Sequence, residues 1–229
     1  MISTRMAPAP DKQKRRIFIV DDHPLVREWL TNLINQQPDL AVCGESESAP
    51  QALQAILASK PQVAIVDISL KDSSGIELIK SLKQSQPEVA VLVLSMHEES
   101  FYAERVLRAG ARGYIMKRET TKKVIDAIRR VLEGKLYVSD TVAETLTTRL
   151  VAGKPLASQS PVEQLSDREL EVFELLGQGL GTRQIAEMLR VSVKTIQAYC
   201  ARMKEKLNLS SATQLLREAI RWNETKHPQ

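Results

Sequence analysis

Val63-Ala64-Ile65-Val66-Asp67-Ile68 runs four apolar residues straight into a single carboxylate. A short apolar run rich in β-branched residues is the pattern of a strand buried on both faces of a parallel sheet. Asp67 then stands at the carboxyl end of that strand, where open α/β sheets place their chemistry. An Asp in such a place also serves turns and helix caps. What Asp67 does is therefore decided by what stands at the neighbouring strand ends.

Four further runs have the strand pattern. Residues 17–20 end in Asp21-Asp22, residues 40–44 form a short second strand, residues 90–94 end in Ser95, and residues 113–116 end in Lys117. Between them lie helical stripes. One follows Pro24 with Leu25, Trp29, Leu30, Leu33 and Ile34, and others cover 49–59, 75–84, 101–109 and 121–132, the last closed by Gly134. Strand and helix alternating five times predict an α/β fold, a doubly wound five-stranded parallel sheet of the flavodoxin-like kind. Right-handed crossovers bring Asp21, Asp22, Asp67, Ser95 and Lys117 to one edge.

At 229 residues the chain has room for two domains. Its formal charge of +4 is accounted for by the N-terminal tail, where Arg5, Lys12, Lys14, Arg15 and Arg16 face only Asp11, so global charge says little about partners. The tail, residues 1–15, has no periodicity and reads as disordered. Cys43 and Cys200 are isolated, which excludes a disulfide framework or zinc site. No apolar run is long enough to span a bilayer and no signal peptide is evident, so a cytoplasmic protein without membrane contact is expected.

The carboxyl-edge set has a direct chemical reading. Three carboxylates at these strand ends, without His or Cys among them, suit Mg²⁺, which binds one or two carboxylates together with phosphate oxygens. Such a cation relieves the repulsion between Asp21 and Asp22 and neutralises phosphoryl oxygens while a carboxylate attacks phosphorus. Lys117 adds a second positive charge and Ser95 a hydroxyl donor. The product is an aspartyl phosphate.

With these residues in place, the segment from 16 to 134 resembles the receiver domain of two-component response regulators. The resemblance implies that Asp67 accepts the phosphoryl group and that Asp21, Asp22, Asp67 and the backbone carbonyl of Ser69 hold the metal. Ser95 and Tyr114 become the switch pair, and Lys117 the partner of the phosphoryl group. Gly75 stands where the family has it, but Lys71 replaces the usual proline four residues past the acceptor, which bears on loop rigidity and phosphoryl lifetime.

Residues 135–164 read as a linker that contains one helix, 141–151, before the Gly/Ser/Pro-rich stretch 153–161. The second domain, 165–224, opens on the capping box Ser166-Asp167-Arg168-Glu169, with Leu165 and Leu170 as its hydrophobic staple. The glycines at 177, 179 and 181 follow no strand and so do not form a dinucleotide-binding fingerprint. Two helices, 182–189 and 193–207, across the turn Val191-Ser192 predict a helix-turn-helix. Between Arg183 and Lys206 six basic residues face two acidic ones, and they coincide with the helix expected to enter the major groove. Ile196, Cys200, Met203 and Leu207 form its inward stripe, which makes Cys200 a buried small residue rather than a redox sensor. Gln197, Ala198 and Ala201 face outward, suited to base edges and thymine methyls, while Lys194, Arg202 and Lys206 suit phosphates.

Residues 165–221 resemble the tetrahelical DNA-binding domain shared by nitrate-response and quorum-sensing regulators, the LuxR/NarL/FixJ type. The resemblance adds Thr182, Arg183 and Thr195 to the DNA-facing set. It also implies a dimer interface on a last helix, 211–222, through Leu215, Leu216, Ala219 and Ile220. Tyr199, Cys200, Gly181 and Ala201 depart from the usual residues of this family.

The expected function is that of a phosphorylation-regulated transcription regulator, not an enzyme. Its expected partners are a sensor histidine kinase, double-stranded DNA and a second copy of itself when phosphorylated or DNA-bound. A phosphohydrolase using an aspartyl-phosphate intermediate needs a second acid two residues past the nucleophile, and Ser69 stands there. A constitutive DNA binder whose receiver only dimerises is the other alternative, kept open by Lys71.

Overall fold

A computed structural model describes residues 14–70, 73–151 and 161–226. The N-terminal half is the expected α/β layer. Strands β1 (Arg15–Val20), β2 (Leu40–Ser46), β3 (Val63–Val66), β6 (Ala90–Ser95) and β7 (Gly113–Met116) form one parallel sheet in the order β2-β1-β3-β6-β7. Strands β4 (Ser69–Leu70) and β5 (Ser73–Ser74) make a small antiparallel pair that the apolar pattern does not predict, because each is two residues long and only Leu70 among these four is an apolar residue packed in the core. Lys71 lies outside the described residues.

Side-chain alternation along each strand builds two cores. Ile17, Ile19, Val63, Ile65 and Leu92 face α1 (Pro24–Asn35) and α5 (Thr121–Leu132). Phe18, Val20, Ala64, Val66, Val91 and Val93 face α2 (Ala49–Ser59), α3 (Gly75–Ser85) and α4 (Glu99–Ala109). The strand interiors are apolar on both sides for that reason, and each fully buried Ile or Val contributes about 1.5–3 kcal/mol. In register, Val20 pairs with Val66 and Val66 with Val93, so β1 and β3 end level and deliver Asp21 and Asp67 to a common edge, while β6 runs two residues further to end at Ser95.

Helix α6 (Asp140–Val151) begins one residue before its expected start, and residues 152–160, which include most of the Gly/Ser/Pro-rich stretch 153–161, lie outside the described residues. A short 3-10 turn, Pro161–Gln164, leads into α7 (Asp167–Gly177), α8 (Thr182–Met188), α9 (Val193–Lys206) and α10 (Ala212–Lys226). The capping box is formed as expected. The Ser166 hydroxyl accepts from the Glu169 N–H, and a Glu169 carboxylate oxygen accepts from the Ser166 N–H at 2.7 Å. Leu165 and Leu170 are both buried beside it. Helix α8 ends one residue short of the prediction and α10 runs four residues past it.

Candidate functional site

The carboxyl edge brings the predicted set together. Asp21 and Asp67 are 2% and 3% exposed and Ser95 is fully buried. Backbone bonds fix them: Asp67 N–H donates to Val20 O at 2.8 Å, and Lys117 N–H to Ser95 O at 2.8 Å. The Lys117 ammonium sits 2.6 Å from Asp21 Oδ2 and 2.6 Å from Asp67 Oδ2. Burial pushes the Asp67 carboxyl up to about 6, with Lys117 opposing and Asp21 adding to the shift. The two carboxylates outweigh burial at Lys117 and hold it charged. Gly75 passes so close behind Asp67 that a Cβ there would lie 2.0 Å from the Asp67 carbonyl oxygen, which is why that position takes glycine.

Asp21, Asp22 and Asp67 each offer a carboxylate oxygen to one point, but the donor set is not oxygen alone. His23 joins the cluster, with all candidate ligand atoms within 4.8 Å of one another. Its Nδ1 is 3.1 Å from Asp21 Oδ1 and 2.8 Å from Asp22 Oδ1. The expectation of a site without His is corrected here: the residue follows Asp22 directly, and the turn into α1 folds its ring back over the carboxylates. Despite that proximity, Asp22 Oδ1 is buried without an aligned hydrogen bond. Unsatisfied carboxylate oxygen of this kind fits a hard cation.

Tyr114 is buried and turned inward, its hydroxyl donating to the His97 carbonyl at 2.8 Å. Burial raises its phenol far above the usual range. The Ser95 hydroxyl oxygen accepts from the His97 N–H at 3.2 Å. Ser95 and Tyr114, the two residues expected to form the switch pair, therefore meet at His97, which the sequence reading passed over.

His97 also crosses to the helical domain. Its Nδ1 lies 3.2 Å from Glu174 Oε2, and its Nε2 lies 2.7 Å from Ser69 Oγ and 3.4 Å from Glu171 Oε1. Hydrogen bonds to Glu171 and Glu174 overcome burial and raise the imidazole to about 9, and the same contacts with Arg168 hold Glu171 down at about 2. The arrangement mimics a Ser-His-carboxylate triad, but both ring nitrogens are donors and Ser69 Oγ gives its proton to Glu171 at 2.7 Å. A base that is already protonated cannot activate the hydroxyl. The cluster is a domain contact, not a nucleophile.

Around it, Arg105 donates to Asp167 Oδ1 and to the Leu165 carbonyl, each at 2.9 Å. Ser74 Oγ donates to Asp167 Oδ2 at 3.2 Å, and the Arg168 guanidinium donates to the Leu70 carbonyl. Helix α7 thus lies along the β4 and β5 strands that follow Asp67. A cleft of about 80 Å³ remains at the mouth of the site, lined by Asp22, His23, Ser69, Arg168 and Arg190 among others. Glu171 and Glu174, three apart on α7, are only 4% exposed, and no local sequence pattern pairs them with His97.

In the helical domain, Arg183, Lys194, Gln197, Ala201 and Arg202 are exposed, and Thr182, Thr195 and Ala198 are half-buried at the same face. Arg202 lies over the Tyr199 ring, 5.6 Å from its centroid. Lys206 is otherwise engaged: its ammonium pairs with the buried Glu169 at 2.6 Å. Cys200 is half-buried and burial pushes its thiol up, in line with a packing role. The apolar stripe of α10 divides. Leu215 and Ala219 are buried within the domain, with the Ala219 carbonyl against Gly177, whereas Leu216 and Ile220 are 40% and 38% exposed. The expected dimer surface therefore reduces to Leu216 and Ile220, because α7 already covers the other two.

Residues 17–129 match the response regulator receiver domain family, and residues 163–219 the luxR family of bacterial regulatory proteins. The oxygen regulatory protein NreC of Staphylococcus epidermidis is 34% identical over 211 residues, covering 90% of this chain and 97% of that protein. Among solved structures, a LuxR-family two-component response regulator from Aurantimonas aligns with a TM-score of 0.56 and 31% identity, over 61% of this chain and 99% of that one. RcsB of Salmonella enterica serovar Typhimurium, bound to a promoter in the presence of phosphomimetic BeF3⁻, aligns with a TM-score of 0.57 and 25% identity over 90% and 98%. No described helix is long and apolar enough to cross a membrane. Two family matches in this order, on a sheet whose carboxyl edge gathers the acidic cluster, place the chain among the response regulators that join a receiver domain to a luxR-family DNA-binding domain and regulate transcription.

Proposed function

We propose that Asp67 is the phosphoryl acceptor, that a sensor histidine kinase is the donor, and that phosphorylation controls how the 165–224 domain binds double-stranded DNA. The observation that carries this reading is the convergence of Asp21, Asp67 and Lys117 within 2.6 Å contacts at the end of β3. In the transfer, an Asp67 carboxylate oxygen bonds to phosphorus, the P–N bond to the donor imidazole breaks, and the imidazole leaves as a neutral ring after taking up a proton. Asp21, Asp22, Asp67 and the Ser69 carbonyl hold Mg²⁺, which when bound neutralises charge on the phosphoryl oxygens. Lys117 supplies fixed positive charge beside the acceptor, and Ser95 turns its hydroxyl to a phosphoryl oxygen while Tyr114 reorients.

The output side follows from charge and shape. Lys194 and Arg202, with Thr182, Arg183 and Thr195, fit phosphates, and Gln197, Ala198 and Ala201 fit base edges. Leu216 and Ile220 fit a second copy on adjacent half-sites. The protein acts in the cytoplasm. The test is operator affinity with and without a small phosphodonor and Mg²⁺, in wild type and Asp67→Ala. A phosphate-dependent gain in wild type that Asp67→Ala lacks supports the reading, and equal affinities in all four samples refute it.

A further inference from the structure

We propose that His97 is the positioning residue through which the state of the phosphorylation site reaches the DNA-binding domain. This rests on the reading of Asp67 as acceptor and names the part that transmits its state. Ser69, Ser74 and Leu70 also touch α7, but His97 joins Ser95 and Tyr114 to it through one residue. Its N–H donates to Ser95 Oγ at 3.2 Å and its carbonyl accepts from the Tyr114 hydroxyl at 2.8 Å. Its ring lies 3.2 Å from Glu174 and 3.4 Å from Glu171 of α7, 2.7 Å from Ser69 Oγ, and packs on Tyr102 with centroids 4.7 Å apart.

The backbone of His97 therefore reads both switch residues, while its side chain holds two of the buried carboxylates of the other domain, Glu171 and Glu174. When Ser95 Oγ swings toward a phosphoryl oxygen on Asp67, the acceptor of the His97 N–H moves with it. When the Tyr114 hydroxyl leaves, the carbonyl loses its donor. Either change displaces the segment that carries the imidazole. Glu171 and Glu174 are 4% exposed, so an imidazole that moves away leaves Glu174 short of its cation and Glu171 with Arg168 alone, a state that favours separation of the domains and hydration of the carboxylates. The coupling is reciprocal: what phosphorylation does to the domain contact, the domain contact does to the affinity for a phosphoryl mimic.

The test uses the full chain with Mg²⁺ and BeF3⁻ in a Trp29→Phe background. Trp222, stacked on Phe101 across the domain boundary, then reports domain contact by fluorescence, and ¹⁹F NMR reports receiver occupancy separately. Wild type is expected to bind BeF3⁻ and to change its Trp222 emission. His97→Ala should start at the separated-state emission, show no further change, and bind BeF3⁻ about fivefold or more tightly than wild type. Glu171→Gln/Glu174→Gln, which leaves the His97 backbone contacts in place, should behave in the same way and covers the case that His97→Ala fails to fold. His97→Ala retaining the wild-type emission change overturns the proposal. So does separation of its domains with BeF3⁻ affinity unchanged, because His97 would then hold the domains without any link to the site. Failure of wild type to bind BeF3⁻ refutes the phosphorylation reading itself, and this inference with it.

Discussion

The ring of Trp222 in α10 stacks on that of Phe101 in α4, with centroids 4.5 Å apart and planes inclined by 26°. The same indole meets Phe173 of α7 edge-on at 5.7 Å. One side chain thus belongs to the core of the DNA-binding domain and to the boundary with the receiver.

The two partners should respond differently to truncation. Phe101→Ala removes the stacked pair, about 1 kcal/mol beyond lost area, and should shift the molecule toward separated domains without lowering the stability of the helical domain. Trp222→Ala should do both, costing the helical domain about 2 kcal/mol, below the range for a fully buried aromatic because Trp222 is half-buried. Small-angle scattering reads the separation and thermal denaturation followed at the helical domain reads the stability. Equal losses of helical-domain stability in both variants would contradict this division of roles.

The domain contact should depend on pH with a defined sign. His97 is raised to about 9 by Glu171 and Glu174, so its contribution is fully present below its ordinary value near 6.5 and is lost as pH rises through about 9. Glu171 is depressed to about 2, so its contribution is present above about 4.5 and is lost as pH falls toward 2. Domains should be closed most firmly between those limits and should separate progressively from neutral to alkaline pH, with a change on the order of 3 kcal/mol. Ser69 and Tyr102, the other groups facing the ring, do not titrate in that window. Scattering profiles from pH 6 to 9.5 provide the check, and His97→Gln should flatten them.

The sheet and its edge were legible in the sequence because both faces are covered. Burial on two sides writes continuous apolar runs such as 63–66, and the residue after each run falls at the carboxyl edge by topology alone. The helix starts were legible where a side chain caps, as at Ser166 and Ser192. What stayed hidden lies between elements far apart in sequence. His23 reaches back over Asp21 and Asp22 through a turn. His97 joins Glu171 and Glu174 over some seventy residues, and no local pattern encodes such a pairing. The engagement of Lys206 by Glu169 was hidden for the same reason, since a capping residue was already explained by its own helix.

Gly75 tests how tightly the backbone is built around the acceptor. An added Cβ would meet the Asp67 carbonyl oxygen at 2.0 Å and Ile68 Cα at 2.7 Å, both backbone atoms that cannot rotate away. Gly75→Ala should therefore cost about 2–3 kcal/mol of receiver stability, as overpacking does. It should also slow Asp67 phosphorylation by a small phosphodonor at least about tenfold, because the displaced atoms are those of the acceptor itself. Denaturant titration and radiolabel incorporation give the two numbers. Wild-type labelling in Gly75→Ala would show that the close approach is not needed for the chemistry.

Lys194 and Lys206 lie on the same recognition helix, and their different surroundings predict different phenotypes. Lys194 is exposed and lies on the side proposed to face DNA, so Lys194→Ala should weaken binding to all sequences alike and reduce the slope of log affinity against log salt by about 1. Lys206 is tied at 2.6 Å to Glu169, whose carboxylate is buried in the capping box. Removing that ammonium leaves a buried carboxylate short of its cation. With the Lys206 side chain 37% exposed, solvent screens part of the loss and the cost falls to about 1 kcal/mol of helical-domain stability. Lys206→Ala should lower the thermal midpoint while changing the salt slope less than Lys194→Ala does. A full unit of slope lost in Lys206→Ala, with stability unchanged, would show that the lysine leaves Glu169 when DNA is bound and serves the phosphate instead.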